Sequence, residues 1–404
     1  MADSPFTEKE ILRYRGETPG CGQVIHLNNA GAALMPAPVI DEIIAHIRLE
    51  GNIGGYEAAG LVENGVHEFY VTTGRLLNCA ARNIAFCANA TDAFTRALSA
   101  VPFQEGDVLL TCDDEYVSNQ IGFLSIARRI GIEVKRVRTA SVGGVDLDDL
   151  DRQLKKWHPR LLSITHVPTN SGLVQPLDEI AGIIRNYDTL FLLDACQSAG
   201  QLPLDVAALG CDFLSSTCRK FLRGPRGAGF LYVSDKALAS GLEPLFIEMN
   251  GADWIEKDRY RAHEDASRFQ AWESAYAILL GSGAAIQYCL DVGVERINQR
   301  LKYLASYTRN ALSKIEGLRL LDKGPALCSI ITFTIEGIEA KDLQTELLSR
   351  AKINVVRTLR EYAVIDFDRK GVTSATRVSP HYYNTESEID RLTACIEEIL
   401  SDRI

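Results

Sequence analysis

At 404 residues the chain is long for a single hydrophobic core and suits two domains. Its composition, 46% apolar and 24% charged, is that of an ordinary globular protein rather than a disordered or fibrous one. A formal charge of -10 argues against a nucleic-acid surface, and no run approaches the ~20 apolar residues of a membrane span, so neither partner is expected.

The chain opens with MADSPFTEKE, which is acidic and lacks an apolar signal core, so a cytoplasmic location is expected. From residue 83 onward, short apolar runs alternate with helical patterns. IAFCANA (84–90), VLLTC (108–112), VKRV (134–137), LLSITHV (161–167), TLFLLD (189–194), CDFLSST (211–217) and GFLYV (229–233) read as strands. Residues 93–101, 119–130 and 177–185 carry helical spacing between them. This alternation predicts an α/β fold, with a seven-stranded, largely parallel or mixed sheet covered by helices on both faces. Residues 251–268, GADWIEKDRYRAHEDASR, turn polar and read as a mobile loop at a domain change. Residues 276–312 then read as one long helix or a bent pair. CSIITFTI (328–335) and INVVR (353–357) are strand candidates around a helix at 341–350. A final helix spans about 387–400 with Thr385 as its N-cap. The expected division is an N-terminal arm at 1–25, a large domain at 26–262, and a small C-terminal α/β domain at 263–404 that takes in part of the arm. Ten cysteines are scattered, with no Cys-x-x-Cys pair, which argues against a metal site and for small buried residues.

Chemistry concentrates between Thr189 and Val233. One apolar run ends in Asp194 and the next delivers Lys220, which puts an acid and a base at carboxyl ends of buried strands, where open α/β sheets bind ligands. Taken singly, Asp194 reads first as a helix cap or a strand end and Lys220 as a solvated surface residue. Together they match the needs of pyridoxal 5'-phosphate (PLP): a lysine to condense with its aldehyde and a carboxylate to keep the ring nitrogen protonated. The turn Asn89-Ala90-Thr91-Asp92 opens a helix and reads as a phosphate cradle or as a plain N-cap. Thr217 is a second phosphate donor. Tyr116, in DDEYVSN, reads as a ring-stacking group or as ordinary packing. Asn170 or Thr169, in HVPTNSG, reads as a cofactor or substrate contact or as part of a turn. Arg377 offers a fork for a substrate carboxylate, with Arg357 as its rival and a surface ion pair as the alternative for both.

The stretch LDACQSAG…LPLDVAALGCDFLSSTCRKFLRGPRGAGFLYV resembles the class V aminotransferase family, the cysteine-desulfurase-like branch of fold type I PLP enzymes, and the resemblance runs from about His26 to Asp390. It implies that Lys220 is the Schiff-base lysine, Asp194 the partner of the pyridine nitrogen, and Gln197 the neighbour of the ring oxygen. Thr91 and Thr217 match phosphate-binding positions, Ala90, Asn170 and Arg219 are further cofactor contacts, and Arg377 matches the substrate-carboxylate arginine. Asn29 and Tyr56 are further expected substrate contacts, and Trp272 and Arg226 are candidates for the pocket wall. The resemblance also implies a homodimer with the site at the subunit boundary.

Departures from the family bear on the reaction. Many members place histidines where this chain has Tyr116 and Arg219. Desulfurases carry a cysteine shortly after a segment like VVRT, whereas here the chain continues RTLREYAVIDFD. GNIGGYEAAG and RVSPHYYNT are similar to segments of the C–S lyases of ergothioneine biosynthesis, and isopenicillin-epimerase-like proteins are also similar. The leading expectation is therefore β-elimination from an S-substituted cysteine or its sulfoxide, with Lys220 as general base and Tyr116 beside it. Transamination or epimerisation of an amino acid is the runner-up, and desulfuration or a non-catalytic binding role ranks lower.

Overall fold

The computed structural model describes residues 4–403. A seven-stranded sheet is built from β1 (Ile84–Cys87), β2 (Val108–Thr111), β3 (Glu133–Arg136), β4 (Leu161–Thr165), β5 (Leu190–Asp194), β6 (Phe213–Thr217) and β7 (Gly229–Val233), in the spatial order β1-β7-β6-β5-β4-β2-β3. All neighbours pair in parallel except β7, which runs antiparallel to both β6 and β1. The expected seven-stranded mixed sheet is present, and it has the architecture of fold type I.

Alternation along each strand divides the interior into two layers. Phe191 and Leu193 point into one buried cluster and Leu192 into the other; Leu214 and Phe213 divide the same way. Each such large side chain contributes roughly 1.5–3 kcal/mol on burial, so a one-residue slip in register would be prohibitive. The register therefore fixes which strand ends face the cleft.

Beyond the sheet, Ala252–Glu256 and Arg259–Ala262 form an antiparallel hairpin where a mobile loop was expected. The helices Tyr276–Val292 and Val294–Leu312 meet at 77° around Gly293, so the bent pair is the arrangement adopted. No single described helix is long and apolar enough to cross a membrane. A four-stranded antiparallel sheet follows, made of β8 (Leu318–Leu320), β9 (Ile331–Ile335), β10 (Val356–Leu359) and β11 (Ser374–Val378), in the order β8-β9-β11-β10. Ile25–His26 pairs with Ile353–Asn354 beside it. The last helix, Glu386–Ser401, is closed by a capping box between Thr385 and Glu388. Phe269, Leu279 and Ile286, past the expected boundary at 262, pack in the two clusters that flank the large sheet.

Candidate active site

The carboxyl ends of β1, β2, β4, β5 and β6 converge on one cleft, and the loops leaving them supply its walls. Asp194 closes β5 and is buried; its Oδ1 accepts the Cys196 N–H at 2.9 Å and its Oδ2 accepts the Asn119 Nδ2 at 2.9 Å. Thr217 closes β6 and Lys220 follows on a tight turn. That turn is held by hydrogen bonds from Arg223 N to the Lys220 carbonyl at 2.9 Å and from Gly224 N to the Cys218 carbonyl at 2.7 Å. Arg223 takes a left-handed backbone there, with φ 61°. Its buried guanidinium donates to the Leu34 carbonyl and the Tyr382 hydroxyl, and His381 bonds the Phe221 carbonyl at 3.0 Å. The RVSPHYYNT segment thus anchors the loop that carries the lysine.

Lys220 is 8% exposed and its Nζ has no hydrogen-bond or ion-pair partner among the described residues. Burial, reinforced by the positive charges of Arg219 and Arg377 and opposed by Cys196 and Asp194, lowers its ammonium to about 8. Such an amine is available as a base near neutrality.

The helix Ala90–Ala100 starts at the cleft with Asn89 as its N-cap, the Asn89 side chain accepting from Asp92 N at 2.9 Å. The N–H groups of Ala90 and Thr91 in that first turn have no carbonyl of their own helix to bond. Gly229 on β7 lies against this turn: a Cβ there would sit 2.6 Å from the Asn89 carbonyl carbon and 2.8 Å from Ala90 N. Thr91, Thr217 and Tyr116 line the same cleft as Lys220, Asp194, Gln197 and Arg219.

A second, adjoining pocket shares Tyr116, Thr169, Arg219 and Lys220 and adds Asn170, Arg357 and Arg377. Arg377 donates to Thr169 Oγ1 at 2.6 Å and to Asn28 Oδ1 at 3.2 Å, and its Nε is buried with no acceptor. Burial and the neighbouring Arg219 charge lower it to about 10. Arg219 bonds the Gly31 carbonyl, and Arg357 is exposed with no ion-pair partner among the described residues. Among the described residues no carboxylate lines this pocket.

Four expected contacts lie elsewhere, and one is displaced. Asn29 is fully buried and spends its side chain on the Ser379 and His26 carbonyls and the Tyr383 hydroxyl, so it is a structural tie between the arm and the C-terminal segment. Tyr56 is 83% exposed on the short helix Gly55–Leu61 and lines neither pocket. Trp272 and Arg226 also line neither pocket. Asn170 faces the second pocket rather than the cofactor cleft, its Oδ1 accepting from Thr358 at 2.5 Å; Thr169 is the residue that spans both.

Sequence reasoning missed Glu115, Asn119, Thr165 and Cys196. The only signal for the first two was their i,i+4 spacing on either side of a helix start in DDEYVSNQ.

The residues present fit PLP. A buried amine lacks a partner, a buried carboxylate lacks a cation, a helix start offers free N–H groups, and a buried guanidinium nitrogen lacks an acceptor. A model of the class-V aminotransferases matches residues 25–392. The chain belongs to that family. As a class-V aminotransferase-family member it is a PLP-dependent enzyme of fold type I. It is 30% identical over 412 residues to a probable cysteine desulfurase of Xylella fastidiosa strain 9a5c, covering 98% of this chain and 97% of the relative. The apo structure of a cysteine desulfurase from Thermococcus onnurineus NA1 superposes with a TM-score of 0.89 at 22% identity, over the full length of both chains. A cystine C–S lyase, solved with its product cysteine persulfide, superposes with a TM-score of 0.83 at 23% identity over 93% of this chain and 98% of that one.

Proposed function

We propose that this protein is a C–S lyase that carries out β-elimination on an S-substituted cysteine or its sulfoxide. The observation that carries this reading is the absence of a usable thiol from the substrate side of the site. Arg357 and Thr358 line the pocket, but the residues after them supply no cysteine. Cys328 is buried in the core. Cys196 borders the cofactor cleft, yet burial and the Asp194 charge raise its thiol well above the ordinary range, which disfavours the thiolate that would attack sulfur.

In this reading Thr91, Thr217 and the helix start at Ala90 would hold the phosphate, Asp194 would pair with the ring nitrogen, and Tyr116 and Gln197 would supply the walls for the ring. Bound PLP supplies an electron sink for the charge that develops at the substrate α-carbon. Arg377 grips the α-carboxylate through its buried guanidinium, and Thr169 Oγ1 fixes the guanidinium plane. Lys220 Nζ takes the α-proton. The electrons of the Cα–H bond form the Cα–Cβ double bond, the Cβ–S pair departs with sulfur, and hydrolysis yields pyruvate and ammonia.

Desulfuration, ranked lower from the sequence, is favoured by the names of the relatives and stands as the second reading. The two differ in product. Incubating holoenzyme with cysteine, cystine and a set of cysteine S-conjugates separates them: elimination gives pyruvate with ammonia in equal amounts, desulfuration gives alanine. Alanine as the main product, or pyruvate undiminished in Lys220→Ala, would sink the lyase reading. The homodimer is likewise proposed, on the exposed apolar segment between Glu243 and Trp272.

A further inference from the structure

Behind the cofactor cleft the two carboxylates of Glu115 and Asp194 share one amide. Asn119 Nδ2 lies 2.9 Å from Asp194 Oδ2 and 2.9 Å from Glu115 Oε1, so its two N–H bonds are divided between the acids. Glu115 is 5% exposed and faces no cation. Its Oε1 also accepts the Tyr116 N–H at 3.0 Å and the Thr165 hydroxyl, while Oε2 lies 3.3 Å from Thr111 Oγ1 and 3.4 Å from Ser163 Oγ. The acid is thereby tied to β2, to β4 and to the start of the helix Val117–Ile130.

We propose that Glu115 is a positioning residue for the ring-nitrogen site: through the Asn119 amide it fixes the orientation of Asp194, and as a neutral acid it leaves Asp194 the single negative charge facing the cofactor ring. This rests on the reading of Asp194 as the ring-nitrogen partner. Two buried carboxylates this close cannot both ionise at low cost. Asp194 gains a cation when the ring is present and Glu115 does not, so Glu115 is the one that keeps its proton. Burial first, and the Asp194 charge second, raise the Glu115 carboxyl to about 7. The titratable groups that act on it are Asp194 on β5 and the Cys112 thiol just after β2; the flanking Asp114 is paired with Lys323, and among the described residues the hydrogen bonds to Glu115 come from hydroxyls and amides. Without Glu115 the Asn119 amide is free to turn away, and three hydroxyls lose their acceptor.

The experiment uses holoenzyme variants Glu115→Gln, Glu115→Asp, Glu115→Ala, Asn119→Ala and Asp194→Asn. Two quantities are read: the PLP dissociation constant, and the pH midpoint of the visible cofactor band. Glu115→Ala and Asn119→Ala are expected to weaken PLP binding by about tenfold, the loss of one buried hydrogen-bond link, and to move the midpoint in the direction Asp194→Asn moves it. Glu115→Gln, neutral and of the same length, stays near the parent. The double variant Glu115→Ala/Asn119→Ala is no worse than Asn119→Ala alone, since both act on one link. Glu115→Asp, which retains the carboxyl group but not the reach, repeats the test if the alanine variant fails to fold. An unchanged midpoint in Glu115→Ala or Glu115→Asp, beside a moved one in Asp194→Asn, overturns the proposal alone. An unchanged midpoint in Asp194→Asn overturns the reading of Asp194 as well.

Discussion

At the scale of single residues, burial decides the protonation of groups whose sequence neighbours say little. His166 follows Thr165 at the end of β4, is 6% exposed, and has a buried Nδ1 without a partner. Burial lowers it from 6.5 to about 3. Below pH 6.5 the unfolded chain takes a proton at this residue that the folded chain refuses, so stability is present above 6.5 and drains away as pH falls toward 3. At pH 5 the loss amounts to ~2 kcal/mol. His166→Gln is expected to lose less stability than the parent between pH 7 and pH 5, by about that amount, in urea midpoints; parallel curves for the two proteins would refute the assignment. Lys220 and Asp194 were readable from sequence only as a pair, an acid closing one apolar run and a base following the next, at the strand ends where open α/β sheets bind ligands. Glu115 was not readable, because an acid beside Asp113 and Asp114 looks like solvated loop until β2 and β4 close around it. Asn29 looked like a ligand contact for the converse reason: a polar residue near a turn gives no sign that backbone carbonyls 350 positions away consume its donors.

At the scale of elements, all seven strands of the large sheet were legible, since each is a short apolar run between turn signals. The strand order and the antiparallel entry of β7 were not, because nothing local distinguishes a strand that returns from one that crosses over. That return has a consequence for the site. β7 brings Gly229 so near the phosphate-cradle turn that a Cβ added there would sit 2.6 Å from the Asn89 carbonyl carbon, closer than a Cβ tolerates. Gly229→Ala must push Asn89 and Ala90 outward, because the opposing contact is backbone and not a flexible side chain. The expected result is a PLP dissociation constant raised at least ~tenfold, read by titrating apoprotein with PLP, with far-UV circular dichroism unchanged. Retained affinity would show that the turn yields without disturbing its N–H groups. The helix Tyr276–Val292 packs on the helices Ala37–Ile53 and Glu63–Leu77, with Leu279 and Ile286 in the core beside the large sheet. We therefore propose that the boundary between the two domains lies at Gly293, where the chain turns by 77°.

At the scale of the whole molecule, one surface is poorly matched to water. Leu245, Phe246, Met249, Trp254, Tyr260 and Trp272 are each between 50% and 83% exposed within one stretch of chain. The hairpin at its centre pairs with no other strand, and a lone two-stranded hairpin is marginal in water without something to pack against. A concentration of exposed apolar side chains in one stretch suits an interface, and a second copy of the chain is the occupant we propose. The stretch is also bound to the site. Gln270 Oε1 accepts from Phe86 N at 3.0 Å on β1, and Arg96, on the phosphate-cradle helix, donates to the Phe269 carbonyl at 3.3 Å. Covering the hairpin would hold this stretch in place, and through it the cradle. Association and cofactor retention are therefore expected to fail together. In sedimentation at micromolar concentration the parent should run as a dimer, and Phe246→Glu/Trp254→Glu as a monomer that binds PLP at least ~tenfold more weakly, in keeping with loss of apolar anchors from a standard-sized interface. A parent of single-chain mass would remove the dimer, and a monomeric variant with parental PLP affinity would cut the link between this surface and the site.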